Sequence, residues 1–286
     1  MSSGAQARTR DVGTTTPTRR AESRHGPVAQ LLISWSPLSL IVVAYGVAGW
    51  ISAPLGMGDG ADTNRVGAHL HVLAPAMLDE RLFGAVPSVW LQARALRPDP
   101  QWYDAVAALV YVTHFVAIPL VTALAWFRMR RRFARWVTAV LTMSVLGVTG
   151  YVVYPAAPPW LAAQRGDIGT VERVSHTGWS WLNLDWAGRL TEAGQEGSNP
   201  IAAMPSLHAG AAMLVVLFLW PVVSRWVRVV LSVYVVTMAV VLVYTGEHYV
   251  VDVVAGWALA AVAVVVSSAG RLVGPRAQTV GMRGTP

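Results

Sequence analysis

Six stretches of about 20 predominantly apolar residues are the feature that most constrains the fold of this 286-residue chain. A helix rises about 1.5 Å per residue and the hydrocarbon core of a bilayer is about 30 Å thick, so each stretch is long enough to cross it. We therefore predict an all-α polytopic membrane protein built on a bundle of six transmembrane helices. The stretches run approximately over 33–53, 104–126, 136–155, 204–224, 227–245 and 248–269.

The composition agrees with a membrane protein. Hydrophobic residues make up 54% of the chain, charged residues only 13%, and cysteine is absent. These values exclude a disordered chain, a disulfide scaffold and a cysteine-ligated metal protein.

The distribution of arginine predicts the orientation. The chain has no lysine, and most of its 22 basic residues fall in the two terminal segments and in the loops after the second and fourth stretches. With an even number of spans these four regions share one side, and short loops rich in arginine stay in the cytoplasm. We predict a plasma-membrane protein with both termini cytoplasmic. Because the arginines are divided among separate segments on one side of the membrane and do not form one basic stripe, we expect no nucleic-acid partner.

The remaining segments complete the predicted organisation. We expect a disordered cytoplasmic tail over 1–30, a six-helix domain over 31–270 and a second cytoplasmic tail over 271–286. Two longer segments fall outside the cell: 54–103 suggests short interfacial helices, and 156–203 a loop or lid. Tryptophans near the ends of the first three stretches, such as Trp50, Trp102 and Trp136, are typical of the water–lipid boundary.

The sequence AAMPSLHAG is the first motif that suggests chemistry. Pro205 and Ser206 are favoured at the start of a helix, and His208 then falls in the first turn. A helix N-terminus presents free N–H groups and a positive dipole, which suit phosphate oxygens. The alternative is an ordinary cap beside an interfacial histidine.

The sequence YTGEHYVVDVVAGW is the second motif. His248 and Asp252 are four residues apart, which places both side chains on one face of a helix. A carboxylate within a membrane segment requires a partner, and a carboxylate on one imidazole nitrogen makes the other a better nucleophile. A purely structural His–Asp pair is the alternative.

The proline-rich YPAAPPW, from Tyr154 to Trp160, ends the third stretch, so the three features meet at the outer ends of the helices. Two histidines and an aspartate from separate helices, beside a helix N-terminus, are the groups needed for phosphoryl transfer through a phosphohistidine.

These motifs resemble the phosphatidic acid phosphatase type 2 superfamily of membrane lipid phosphatases and phosphotransferases, specifically over about 150–257. YPAAPPW and the GEHY form are most similar to the branch of inositol phosphorylceramide synthase and its bacterial relatives. The resemblance implies that His248 is the nucleophile, Asp252 its orienting partner and His208 the general acid, with Ser206 holding the phosphate. It also implies no metal and no other cofactor. We expect further substrate contacts from Pro205, Leu207, Tyr154, Gly246, Glu247 and His114.

The chain departs from the family in its cations. Many members hold phosphate with a lysine and with an arginine six residues before the nucleophile, whereas this chain has no lysine and carries Leu242 there. Arg165 is the first candidate replacement, followed by Arg173, Arg81 and Arg65, although a solvated loop arginine is the alternative for each.

Three functions remain open from the sequence. The main hypothesis is an enzyme that acts on a phosphate-containing lipid at the outer leaflet, either as a hydrolase or as a head-group (phosphoinositol-type) transferase. A proton- or ion-coupled transporter would use Asp252 and His114 as a relay. A metal-dependent enzyme would use His208, His248, Glu247 and Asp252 as ligands, but adjacent residues of a helix point apart. The oligomeric state is open.

Overall fold

The computed structural model describes residues 26–55 and 62–269 of the chain, and this part is mainly helical. It contains three isolated β-bridges and no strand within those ranges. The helices are α1 (Pro27–Ser52), α2 (Leu73–Phe83), α3 (Pro87–Ala95), α4 (Trp102–Arg128), α5 (Arg130–Val153), α6 (Pro159–Gln164), α7 (Gly178–Trp181), α8 (Asp185–Glu196), α9 (Leu207–Leu219), α10 (Arg225–Tyr244) and α11 (Val250–Ala269), with a 3₁₀ turn at Ala53–Leu55.

The chain divides into two compact units, 1–36 and 37–286. The described part of the first is the start of α1, and everything discussed below belongs to the second. The tail predicted over 1–30 lies outside the described residues as far as residue 25, and the tail over 271–286 lies outside them entirely.

Within the described residues, four helices are long and apolar enough to cross a membrane: α4, α5, α10 and α11. They coincide with the second, third, fifth and sixth predicted spans. Shorter apolar helices, Ser39–Leu55 and Leu207–Leu219, lie where the first and fourth were expected. The structure thus confirms an all-helical protein with four candidate spans, while the count of six stays a prediction.

Helix α9 packs against α11, α10, α4 and α5, and α5 also packs directly against α11. A core of apolar side chains fills the space among α4, α5, α9 and α11. Trp136, Leu214 and Ala260 are completely buried in this core. Trp136 also donates its indole N–H to Thr122 Oγ1 at 2.8 Å, which ties α5 to α4. The expectation that Trp136 marks the membrane boundary is therefore wrong, because its indole finds its polar partner inside the bundle.

Glycines allow the helices around α9 to approach closely. A Cβ atom on Gly256 of α11 would lie 2.1 Å from the backbone oxygen of Ser206, and one on Gly210 would lie 3.0 Å from the oxygen of Gly256. On α5, a Cβ on Gly150 would lie 2.7 Å from Pro205 Cδ. Only glycine fits at Gly256, so the start of α9 lies directly against the backbone of α11.

The two segments expected outside the membrane both contain short helices, which were predicted for the first segment only. The segment 54–103 includes α2 and α3, while their position at an interface stays a prediction. The segment 156–203, expected as a loop or lid, contains α6, α7 and α8. We call the segment 156–203 the cover. Gln92 of α3 anchors it to the bundle, since the Gln92 amide nitrogen donates to the carbonyls of Glu172 at 2.8 Å and Tyr244 at 2.7 Å.

Replacement of Gly256 by alanine tests this close packing. We expect Gly256→Ala to lower the free energy of unfolding by more than about 1 kcal/mol, because the new methyl group collides with a backbone oxygen that cannot move alone. Gly46→Ala is the matched control, since nothing lies within 4 Å of a Cβ there. Thermal unfolding of both variants in detergent measures the difference, and equal melting temperatures would contradict the packing argument.

Candidate active site

His208 and His248 meet at the N-terminal ends of two neighbouring helices. His208 is the second residue of α9, and His248 lies two residues before α11 begins. His208 Nδ1 is 3.1 Å from His248 Nε2, which is hydrogen-bonding distance. The two histidines singled out in the sequence therefore lie side by side.

The second ring nitrogen of His248 is held by the backbone. His248 Nδ1 is 2.9 Å from the carbonyl oxygen of Ala203, which can only accept, so Nδ1 carries the proton. Nε2 is left with a free lone pair, the form a nucleophile requires. This carbonyl is a site group that the sequence analysis missed, because no side-chain pattern marks a backbone acceptor.

Asp252 is close to His248 without bonding to it. Its Oδ2 is 3.6 Å from His248 Nδ1 and accepts the backbone N–H of Tyr249 at 2.9 Å. Its Oδ1 is buried without a hydrogen-bond partner among the described residues. In this arrangement the carboxylate faces His248 as a nearby negative charge, and Ala203 fixes the direction of the ring.

Ser206 caps α9 as predicted, but its hydroxyl is used within the helix. Its Oγ accepts the N–H of Ala209 at 3.2 Å, and the side chain is completely buried. The backbone N–H of Ser206 donates to the carbonyl of Asp252 at 3.0 Å. Pro205 follows a cis peptide bond and lies directly before the cap, so it stands at the helix start as expected.

A cavity of about 480 Å³ opens beside the two histidines. Its wall is apolar on the side of α1, α4 and α5, where Ile41, Phe115 and Met143 line it, and polar where α8 and the following loop contribute Gln195 and Asn199. A cavity of this kind, apolar with a few convergent polar groups, is typical of a small-molecule site.

Three of the expected substrate contacts line this cavity: Leu207, Glu247 and His114. The His114 ring lies edge-on to that of His208, with 4.1 Å between the centroids, and the neighbouring Tyr111 ring stacks on that of His208 at 5.5 Å. Tyr111 also lines the cavity, and the sequence analysis missed it, because an aromatic residue in an apolar helix carries no distinctive signal.

The other expected contacts lie outside the cavity lining. Tyr154 stacks on His71 with 3.8 Å between the ring centroids. Gly246 adopts a positive φ of 75° and its carbonyl accepts the N–H of Trp160 at 3.2 Å, so it shapes the turn before His248. Arg165 is exposed, and its Nε lies 3.4 Å from Asp167 Oδ2. Pro205 and Ser206 lie behind the histidines, in the helix start.

Arg173 is the arginine that lines the cavity in the part of the chain that the structure describes. Its Nε and Nη2 donate to the two oxygens of Glu247 at 3.0 and 2.9 Å. Burial alone would lower the pKa of Arg173, but the Glu247 carboxylate outweighs it and the pKa is raised, so the guanidinium stays charged.

Glu247 receives two further hydrogen bonds. Ser175 Oγ donates to its Oε1 at 2.5 Å, and Gln195 Nε2 donates to the same oxygen at 3.1 Å. Glu247, the residue directly before His248, is thus held by side chains of the cover. Its carboxylate is only 5% exposed.

Asp79 is a further residue that the sequence analysis missed. It belongs to α2 and is completely buried. Its two oxygens accept the N–H groups of Val250 at 2.8 Å and Val251 at 3.0 Å, which are otherwise unpaired at the start of α11. A carboxylate in an amphipathic segment gave no sign of this contact. Asp79 fixes the helix end that carries His248.

Within the described residues, no group of three or more His, Cys, Asp or Glu side chains is placed to hold a metal ion.

Comparison with known proteins supports the resemblance read from the motifs. A family model described as the PAP2 superfamily matches residues 77–266. The phosphoinositol dihydroceramide synthase of Bacteroides thetaiotaomicron is 29% identical over 168 residues, which cover 54% of this chain and 52% of that protein. The inositol phosphorylceramide synthase catalytic subunit of Schizosaccharomyces pombe is 31% identical over 154 residues, 50% of this chain and 34% of the relative.

The chain therefore matches about half the length of the first relative and about a third of the second. No solved structure matches the chain.

Removal of the Asp79 carboxylate tests its role at the start of α11. We expect Asp79→Ala to lower the free energy of unfolding by about 1–3 kcal/mol, because two buried N–H groups lose their acceptor. Glu80→Ala is the control, since the neighbouring Glu80 is exposed. Melting temperatures in detergent compare the two, and an Asp79→Ala protein as stable as the Glu80→Ala protein would contradict the assignment.

Proposed function

Because the chain belongs to the PAP2 superfamily, we propose that it is a membrane enzyme that hydrolyses or transfers a phosphate-containing lipid head group through a phosphohistidine. The observation that carries this proposal is the contact between His208 and His248, in which the Ala203 carbonyl places the proton of the neutral His248 ring on Nδ1 and so leaves the lone pair of Nε2 facing His208. The names of both relatives, phosphoinositol dihydroceramide synthase and inositol phosphorylceramide synthase, support a lipid substrate.

In the first step, His248 Nε2 attacks the phosphorus of the bound lipid. The N–P bond forms as the P–O bond to the leaving group breaks, and protonated His208 gives its proton to the leaving oxygen. This role suits His208 because its Nδ1 already points at the nitrogen that becomes bonded to phosphorus. Substrate phosphate takes the place of the direct hydrogen bond between the two rings.

In the second step, water or a lipid alcohol attacks the phosphorus from the side that the leaving group vacated. His208, now neutral, accepts the proton of the attacking hydroxyl, and the N–P bond to His248 breaks. Water gives hydrolysis and an alcohol gives transfer. The apolar wall over the cavity favours an alcohol, since it limits the access of water.

Arg173 is our candidate for the cation that binds the phosphate, in place of Arg165. Arg173 lines the cavity, whereas Arg165 is exposed and paired with Asp167. Asp252, 3.6 Å from His248 Nδ1, offsets the positive charge that the ring gains when Nε2 bonds to phosphorus. Ser206 supports the site by capping the helix that carries His208.

The transporter hypothesis is not favoured. A relay through the bilayer requires ionisable groups distributed along its depth. Here His208 and Asp252 both lie in the first turn of their helices, beside His248. His114 joins the same cluster, since its ring touches that of His208.

Substitution of the histidines tests the mechanism. We expect His248→Ala to lower turnover of a lipid phosphate more than about a thousandfold, and His208→Ala more than about a hundredfold, because one removes the nucleophile and the other the general acid. Asp252→Asn retains a measurable fraction, since the Ala203 carbonyl still orients the ring.

The leaving group separates the two roles. p-Nitrophenyl phosphate releases p-nitrophenolate, which leaves without a proton. With this substrate His208→Ala should recover much of the lost rate in the first step, while His248→Ala should not. Acid-labile labelling of the protein by ³²P-substrate, absent in His248→Ala, measures the intermediate. Equal losses for both variants on both substrates would contradict the assigned roles.

For topology we propose that the site faces the outside of the plasma membrane and that both termini are cytoplasmic, as the arginine distribution suggests. The chain has no cysteine, so single cysteines report sidedness directly. We expect Ser180→Cys, in the exposed cover, to react with a membrane-impermeant maleimide on intact cells. Val222 is exposed between the end of α9 and the start of α10, at the end of α9 that is far from His208. Val222→Cys should therefore react only after permeabilisation. The reverse pattern would contradict this orientation.

A further inference from the structure

The charge of the cavity is unusual for a phosphate site. Arg173 and Glu247 are the residues with permanent charges among the described residues that line it, and they are paired with each other. The two hydrogen bonds between them, at 3.0 and 2.9 Å, join both carboxylate oxygens to one edge of the guanidinium, formed by Nε and Nη2. The pair therefore adds almost no net charge to the cavity.

The pair is built to persist. Ser175 and Gln195 also donate to Glu247, and Gln195 Nε2 donates to Ser175 Oγ at 2.6 Å. These donors hold the carboxylate of Glu247 in place. Arg173, stacked 5.0 Å over the Trp160 ring, is also fixed from its other side.

The balance of charge then depends on the substrate. In the proposed mechanism the first step begins with His208 protonated and His248 neutral, which gives the pair of histidines one positive charge. Asp252 does not line the cavity, and its contribution is the same for every substrate, so it does not alter the comparison. A phosphodiester brings one negative charge, which protonated His208 balances within the cavity. A phosphomonoester carries close to two negative charges above its second pKa of about 6, so one charge remains without a partner in a mostly apolar cavity.

We propose that Glu247 is a specificity-determining residue that makes the enzyme prefer lipid phosphodiesters over phosphomonoesters, by cancelling the charge of Arg173. This inference rests on the proposed function and assigns its substrate class. Glu247 acts through Arg173 and makes no bond to the reacting atoms. With a diester, the ester oxygen that leaves takes the proton of His208, and the second ester group stays on phosphorus during the intermediate.

The experiment compares kcat/KM for two lipids with the same acyl chains, phosphatidic acid as the monoester and phosphatidylinositol as the diester, at about pH 7.5, where the monoester is dianionic. The purified full chain is assayed in mixed micelles, with phosphate release and head-group release or transfer as readouts. We expect the wild-type ratio of diester to monoester to favour the diester.

Glu247→Gln is the decisive variant, because it keeps the shape of the side chain and removes its charge. The freed charge of Arg173 should shift the ratio towards the monoester by about tenfold or more. Gln195→Ala is the matched control: it removes a neutral donor to the same carboxylate, and its ratio should stay within about twofold of the wild type.

The double variant Arg173→Gln/Glu247→Gln completes a charge cycle. It has the same net charge as the wild type, so its ratio should return towards the wild-type value even if its rates are low. Arg173→Gln alone leaves the carboxylate unbalanced and should disfavour the monoester further. If Glu247→Gln proves unstable, the double variant and Arg173→Gln still test the proposal, because each is expected to give a different ratio of kcat/KM for the diester and the monoester.

The outcomes separate this inference from the proposed function. An enzyme that turns over neither lipid, nor moves head groups between lipids, overturns the proposed function itself. An active enzyme whose ratio is the same in the wild type, Glu247→Gln and Arg173→Gln overturns the role of Glu247 alone. A wild type that prefers the monoester also overturns it.

Discussion

The close contact between the start of α9 and the first turns of α11 is the constraint on which the site depends. Gly256 leaves room for the Ser206 carbonyl, and the N–H of Ser206 donates to the carbonyl of Asp252. These contacts involve backbone atoms, whose positions vary less than those of long side chains. They set His208 and His248 at hydrogen-bonding distance before any substrate arrives, and such preorganisation is the main way in which a protein stabilises a reacting group.

Much of the helical scaffold and the two histidines could be predicted from the sequence. Long apolar stretches need no tertiary information, and four of the six became helices of spanning length. The histidines were found because each lies beside a helix start. Arg173 was named only as the second candidate cation, and Ser175 and Gln195 were not considered, because they meet Glu247 across 52 to 74 residues of sequence. Contacts over such separations leave no periodic pattern along the chain.

The electrostatics of the cavity follow from how its polar groups are paired. An isolated charge in a mostly apolar environment is costly, so Arg173 and Glu247 each need the other. His248 is treated differently, since a neutral carbonyl holds its Nδ1 and the Asp252 carboxylate stays 3.6 Å away. The ring of His248 is thus oriented by a backbone group, while the Arg173–Glu247 pair lines the same cavity.

Gln92 has a consequence for how such an enzyme can change. One side chain of α3 bonds to the backbone of both Glu172 and Tyr244, so it joins the cover to the helix bundle without using any side chain of the cover. The Gln92 hydrogen bonds therefore hold the path of the cover near residue 172 whatever side chains it carries. Exposed positions of the cover that make no contact with Glu247, such as Ser180, can then change during evolution, or in the laboratory, without loss of this anchor.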